Sequence, residues 1–352
     1  MLVSVIINNY NYGRFVGQAI QSAIDQTYSD IEVIVVDDGS TDDSKTAIGF
    51  FGSKIHTVFK ENGGQGSAYN AGFAASGGQL IHFLDADDVL YPTAIEEVVK
   101  AWEAGVTKVQ FYLQVVEGIE ATPTSASIPS GKLPSGDVRE HLLRTGHYES
   151  PPASGNTYSR DLLSTILPMP ASQWITAADM YTIYHAALAG EIRSISHPLG
   201  LYRVHGSNTD AQTLITGKLL RYRLEKETIR DKLLADYCRT HDFAYAPGSV
   251  SKDIGNAKIR MASFLVDRQR HPYKSDTVFS VLAKCVRLCL ANEYFSASKK
   301  VLFCAWLFAV VSSPKRTLST LLTLGFVPAK RPKVLQKFLT HTSLLIPAEA
   351  IR

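Results

Sequence analysis

The stretch IHFLDADDVLYP, residues 81–92, delivers Asp85, Asp87 and Asp88 directly behind a run of apolar residues. Carboxylates this close repel one another, so three of them gain by crowding only where a cation is to be held. Hard oxygen donors select Mg²⁺ or Mn²⁺, and Mg²⁺ takes one or two carboxylates plus substrate phosphates rather than an all-protein cage. A loop with few ligands meets that demand when a nucleoside diphosphate supplies the remaining oxygens. Such an ion works as a Lewis acid, neutralising the charge that builds on a departing diphosphate. The plain alternative is that the acids cap the helix starting near Pro92.

A second acidic stretch, VVDDGSTDDS (35–44), divides into two parts. Ser40 to Asp43 are ordinary helix-capping types. Asp37 and Asp38, at the end of an apolar run, suit another task. A carboxylate accepts a hydrogen bond from a pyrimidine ring N–H, and a buried polar edge rejects bases that lack the matching group. Between the two acidic loops lies ENGGQGSAYNAG (61–72), which lacks the Lys-Ser/Thr ending of a P-loop. Its position makes it a candidate wall of a nucleotide pocket.

These loops need elements to position them. Apolar, β-rich runs at 2–7, 31–36, 55–59, 79–84 and 108–116 predict buried strands. Phe15, Ala19 and Ala23, with Val16, Ile20 and Ile24, recur at spacing four and predict a helix with a broad apolar face. Helices are also expected around 65–76 and from Pro92 onward. Strands alternating with helices give right-handed crossovers and a mostly parallel sheet. In such sheets ligands bind beyond the carboxyl ends of the strands. Asp37 and Asp38 sit at one such end, Asp85, Asp87 and Asp88 at another, and NNYNYG (8–13) at a third. Three polar loops therefore meet on one edge. Residues 117–136, rich in Ser, Thr, Pro and Gly, are expected to form a loop.

The 352 residues are 45% apolar and 20% charged, enough to bury a large core and unlike a disordered chain. The net charge of +3 hides an asymmetry: residues 1–210 carry a formal −11 and residues 211–352 a formal +14. The first part suits cations or cation-bridged ligands, and the second an anionic partner. The division predicts a domain over 1–210 and a basic, mainly helical region over 211–352. Within the latter, residues 296–328 set apolar stretches between Lys299, Lys300, Lys315 and Arg316. That pattern predicts a helix lying on an anionic membrane surface, with a helical cap or homo-oligomer contact as the alternative. Nucleic acid is not expected, because no aromatic stacking platform accompanies the charges. Cys238, Cys285, Cys289 and Cys304 lack metal-site spacing and are expected to be free buried thiols. The apolar start has no basic segment before it, and the run Val301–Val311 is shorter than the roughly 20 residues of a spanning helix. A cytoplasmic location, peripheral on the inner membrane face, is the expectation.

Together, VSVIINNYNYGRFVGQAIQSAIDQTYSDIEVIVVDDGSTDDS and NGGQGSAYNAGFAASGGQLIHFLDADDVLYP resemble the opening, nucleotide loop and DXD region of the family-2 inverting glycosyltransferases. The resemblance covers residues 1–115 closely and 150–208 more thinly. It implies an α/β GT-A fold: a Rossmann-like, mostly parallel sheet flanked by helices, here with a helical C-terminal region. It also implies transfer of a sugar from a nucleotide-sugar donor, UDP-sugar favoured, to a glycan or lipid-linked acceptor in polysaccharide or surface-glycan assembly, with Mg²⁺ or Mn²⁺. Asn8 and Tyr10 would line the base pocket, Asp38 would bind the base ring and Asp37 support it. Gln65 and Asn70 would belong to the nucleotide loop. Asp85 and Asp87 form the DXD; Asp87 and Asp88 would contact ribose and metal, in an order the sequence leaves open. TAADMYTIYHAALAG (176–190) matches the segment bearing the general base, which makes Asp179 the base. Ala178 stands where the family commonly has Glu. In LYRVHGSN (201–208), Arg203 would contact the diphosphate, and His205 the metal or the phosphates. Two rival readings are a sugar-phosphate nucleotidyltransferase, whose Gly-rich basic loop NNYNYGR does not supply, and a non-catalytic binding module, favoured only by Ala178.

Overall fold

The computed structural model describes residues 1–205, 215–245, 248, 254–292 and 295–326. Chain contacts divide it into two units, residues 1–142 with 148–205, and residues 143–147 with the described residues beyond His205.

The first unit opens with β1 (Val3–Asn9), α1 (Gly13–Ile24), β2 (Ile31–Asp37), α2 (Ser44–Gly49), β3 (His56–Phe59), α3 (Gln65–Ala75) and β4 (Leu80–Asp85). It continues with β5 (Val89–Leu90), α4 (Ala94–Lys100), β6 (Val106–Glu117), β7 (Thr122–Ile128), α5 (Arg139–Thr145, which straddles the boundary), β8 (Asn156–Ser159), α6 (Arg160–Ile166), α7 (Ala178–Ala189) and β9 (Glu191–Val204). One sheet runs in the order β3-β2-β1-β4-β8-β6-β9-β5, with β7 beside β6. β3, β2, β1 and β4 are all parallel, as are β6 and β9.

β1 and β2 are apolar runs, not alternating patterns, because the centre of a parallel sheet is buried on both faces. α1 packs Phe15, Val16, Ala19, Ile20 and Ala23 onto one face through the spacing of four that the sequence shows. On the other face α3 lies so close that a Cβ at Gly72 would come within 2.3 Å of Ile6 Cγ2. The expected loop over 117–136 is corrected in part. It contains β7, an edge strand paired only with β6 and largely exposed, so it shows no apolar alternation.

In the second unit, α8 (Gly217–Thr240), α9 (Ile254–Val266), α10 (Val278–Ala291), α11 (Ala297–Ser312) and α12 (Lys315–Phe326) surround a core that includes Leu220, Met261, Cys285, Cys289, Leu307 and Leu322. All four cysteines are free thiols. Burial raises the thiol pKa of Cys285, and of Cys289, to about 12. No helix among the described residues is long and apolar enough to cross a membrane.

Candidate active site

Strand register builds the site. Asn8 pairs with Val36 on one side and with Asp85 on the other, and Asn9 pairs with Asp37. The carboxyl ends of β1, β2 and β4 thus bring their polar residues to one edge. Asp37 is fully buried and accepts from Asn9 Nδ2 at 2.8 Å and from the Ser40 amide at 3.0 Å. Asp38 turns toward the glycine loop. Its carboxylate accepts from the amides of Gly63 and Gly64, the latter at 2.7 Å, and pairs with Lys60 Nζ at 2.5 Å. Tyr10 stands 47% exposed beyond the strand.

The acid loop is held at both ends, by β4 beside β1 and by β5 beside β9, where Val89 pairs with Leu201. That pairing carries Arg203 and His205 to the loop. The three aspartates then take different positions. Asp88 points inward, 1% exposed, accepting from Ser154 Oγ at 2.6 Å and from the Arg203 amide at 3.0 Å. Asp87 points toward the edge, and its Oδ2 lies 2.9 Å from His205 Nε2. Asp85 is partly buried, and burial together with the charges of Asp87 and Asp179 raises its pKa well above the usual carboxylate range. Burial, then the charges of Asp87 and Asp85, raise that of Asp88 too, against the pull of its two hydrogen bonds. The tyrosine at position 12 is likewise raised, by burial first and then by Asp87 and Asp85.

Arg203 is also buried, 1% exposed. Its guanidinium donates to the carbonyls of Asp87, Gly118 and Ile119 and to Gln18 Oε1, and lies 5.0 Å over the Phe15 ring. In this arrangement it braces the backbone of the acid loop, and a diphosphate contact would require some of these bonds to be exchanged. The His205 ring stacks on Phe15 at 4.9 Å and meets Tyr12 edge-on at 5.5 Å, which fixes the direction of its Nε2.

Asp179 sits in the first turn of α7, and its charge reaches Asp85, Lys108 and Tyr69. Gln65 positions this turn by accepting the Ala178 amide at 2.9 Å. Asn70 clasps the backbone of Met169 from both sides, donating to its carbonyl at 2.8 Å and accepting its amide at 2.9 Å. Both residues expected in the nucleotide loop thus dock the 169–178 segment onto α3. Gly64 is part of that dock: its φ is +83° and a Cβ would meet the Ile175 backbone at 2.7 Å.

Lys108 is fully buried, and its Nζ donates to Gln110 Oε1, Tyr148 OH and Asn156 Oδ1, with Ser150 Oγ also in reach. Burial lowers its proton affinity, opposed by the charge of Asp179. The partners decide its state. The amide nitrogens of Gln110 and Asn156 and the Tyr148 hydroxyl proton are already donated elsewhere. Three fixed acceptors therefore face Nζ, and only an ammonium supplies three protons.

The residues at the edge fit a divalent cation. Asp87 Oδ2 and His205 Nε2 converge, and both side-chain polar atoms of Asn8 are shielded from solvent and lack a hydrogen-bond partner. Among the described residues no three His, Cys, Asp or Glu side chains form a complete cage. Asp87 and His205 alone would leave most of a cation's coordination positions to substrate oxygens.

Residues 4–165 match the model of glycosyl transferase family 2. The chain is 41% identical over 214 residues to an uncharacterized glycosyltransferase of Nostoc sp., an alignment covering 59% of this chain and 66% of that protein. The chain belongs to glycosyl transferase family 2. This family-2 chain is also 48% identical over 95 residues to an uncharacterized glycosyltransferase of Rickettsia prowazekii, covering 27% of this chain and 30% of that protein. With the chondroitin synthase of Pasteurella multocida it shares 38% over 102 residues, 28% of this chain and 11% of that protein. The match therefore takes in about two thirds of the first relative and under a third of the others. The fold resembles S. aureus TarS 1–349, crystallised with UDP-GlcNAc, at a TM-score of 0.51 and 16% identity, over 87% of this chain and 90% of that one. The family-2 architecture of an α/β GT-A sheet with a helical C-terminal region is the one expected from the sequence.

Sequence reasoning missed four side chains in this family-2 site: Tyr12, Gln18, Lys108 and Ser154. Lys108 had a signal, a lysine opening an apolar strand. Ser154 had none, because its role depends on Asp88, 66 residues away.

Proposed function

We propose that this chain is a metal-dependent, inverting glycosyltransferase that moves a sugar from a nucleoside-diphosphate donor, UDP-sugar favoured, to a hydroxyl of a glycan or lipid-linked acceptor. Polysaccharide or surface-glycan synthesis is the setting proposed for it. The observation that carries this reading is the pairing of Asp87 with His205 on the sheet edge where Asn8 and Asp85 meet. Asp87 and His205 would hold Mg²⁺ or Mn²⁺, which when bound supplies positive charge against the leaving diphosphate. Asp88 and Arg203 are assigned to shaping the loop, since their polar atoms are spent on its backbone and on Ser154. Asn8, Tyr10 and the Asp37–Asp38 turn form the nucleotide side of the edge. Asp38 there fixes the glycine loop through Gly63 and Gly64, a cradle in which the base ring would lie.

Asp179 is the proposed base. As the acceptor oxygen bonds to the anomeric carbon, the bond from that carbon to the diphosphate breaks on the opposite face. The hydroxyl proton passes to the Asp179 carboxylate. Gln65 holds the helix turn that carries this group. Ala178, in the family's usual Glu position, contributes only its backbone amide to the arrangement.

The test is nucleoside diphosphate release by the full chain from UDP-glucose, UDP-galactose, UDP-GlcNAc or dTDP-rhamnose, each with Mn²⁺ or EDTA. One donor is expected to turn over with Mn²⁺ and to stop with EDTA. Turnover unaffected by EDTA would exclude the metal reading. Binding of a donor without any release would favour the non-catalytic binding module.

A further inference from the structure

The helical unit leaves an apolar surface uncovered among its described residues. α11 buries Phe303, Leu307 and Val310 in the unit's core, yet its opposite side is equally apolar. Val301 is 68% exposed, Leu302 43% and Phe308 56%, with Ala305 and Ala309 exposed between them. A helix apolar all round is normally buried all round. The neighbouring α10 adds Phe279, 84% exposed, and Leu290, 58% exposed, on a stripe that also carries Arg287. Lys300 Nζ donates to the Leu290 carbonyl at 2.6 Å and ties the start of α11 to the end of α10.

Charge selects what covers this surface. Residues 295–326 contain no Asp or Glu, and Lys299, Lys300, Lys315 and Arg316 stand near the two ends of α11. A second copy would bring the same positive charge and be repelled. Nucleic acid gives aliphatic side chains nothing to stack on. An anionic lipid surface answers both demands, with headgroup phosphates for the cations and an acyl boundary for the apolar side chains. At 16 residues α11 is about 24 Å long, short of the roughly 30 Å hydrocarbon core, so it would lie in the interface instead of crossing it.

We propose that α10 and α11 form a peripheral docking surface for anionic membranes, with Val301, Leu302 and Phe308 entering the headgroup–acyl boundary and Lys299, Lys315 and Arg316 contacting lipid phosphates. This inference does not depend on the transferase reading.

The test is co-flotation of the full chain with vesicles of pure phosphatidylcholine or of phosphatidylcholine with 30% phosphatidylglycerol. Flotation is expected with the anionic vesicles, to weaken at least tenfold in 1 M NaCl, and to weaken at least tenfold in Val301→Glu/Phe308→Glu. The milder Phe308→Ser, checked for an unchanged melting curve, should give an intermediate loss that misfolding cannot explain. Equal flotation of wild type and both variants would overturn the proposal. So would failure to float together with a concentration-dependent dimer, seen by sedimentation, that Phe308→Ser dissolves.

Discussion

His205 Nε2 lies 2.9 Å from Asp87 Oδ2 across a sequence separation of 118 residues. The approach follows from a two-residue strand. β5 emerges from the acid loop and pairs with β9, so the end of β9 is drawn back over the loop. Phe15 and Tyr12 then hold the imidazole so that its nitrogen faces the carboxylate.

If this pair grips the cation, replacing either member should act on metal first. His205→Ala and Asp87→Asn are each expected to weaken Mn²⁺ binding in the presence of UDP by about 10- to 100-fold, an effect size typical of disturbed metal sites. Calorimetric titration reads this directly. Unchanged Mn²⁺ affinity in both variants would remove the pair from the metal site.

Asp88 should behave differently from its neighbour. Asp88→Ala leaves the Ser154 hydroxyl and the Arg203 amide without their buried acceptor, a loss of roughly 1–3 kcal/mol each at most. Urea unfolding should therefore show Asp88→Ala clearly destabilised and Asp87→Ala much less so. Equal destabilisation would contradict the division of labour between them.

Gln65 is expected to matter through the base and not through the donor. Gln65→Ala removes the acceptor for the Ala178 amide at the start of α7 and should cost about 1 kcal/mol of positioning. Turnover should fall severalfold while the donor's dissociation constant stays within about twofold. A large loss of donor affinity would instead place Gln65 against the nucleotide.

His82 gives a pH signature independent of catalysis. It is fully buried in β4, hydrogen-bonded through Nδ1 to Thr157, and burial lowers its pKa to about 3. Above about pH 6.5 it is neutral both folded and unfolded. Between there and pH 3 only the unfolded chain takes up the proton. Stability from this group should fall on acidification, by about 1.4 kcal/mol per pH unit. His82→Phe should flatten that part of the stability–pH curve; an unchanged slope would show that other groups set it.

Much of this was legible in the sequence because the central strands are buried on both faces and therefore read as unbroken apolar runs. Val3–Asn9, Ile31–Asp37 and Leu80–Asp85 fall where 2–7, 31–36 and 79–84 predict, and the convergence of their polar ends follows from topology alone. What sequence left open was decided by distant partners. Asp87 and Asp88 are adjacent and chemically identical, and only Ser154 and Arg203 make one of them inward-facing. Gln65 and Asn70, expected in the nucleotide loop, lie in α3, and their side chains are engaged by Ala178 and Met169, about a hundred residues on. β7 escaped detection because an exposed edge strand needs no apolar face.

The measurement closest to the central claim is anomalous scattering from crystals of the full chain soaked with Mn²⁺ and UDP. The account predicts one manganese peak within coordination distance of Asp87 and His205, with diphosphate oxygens completing its shell. A bound UDP with no manganese at that pair, or manganese held elsewhere on the sheet edge, would contradict it.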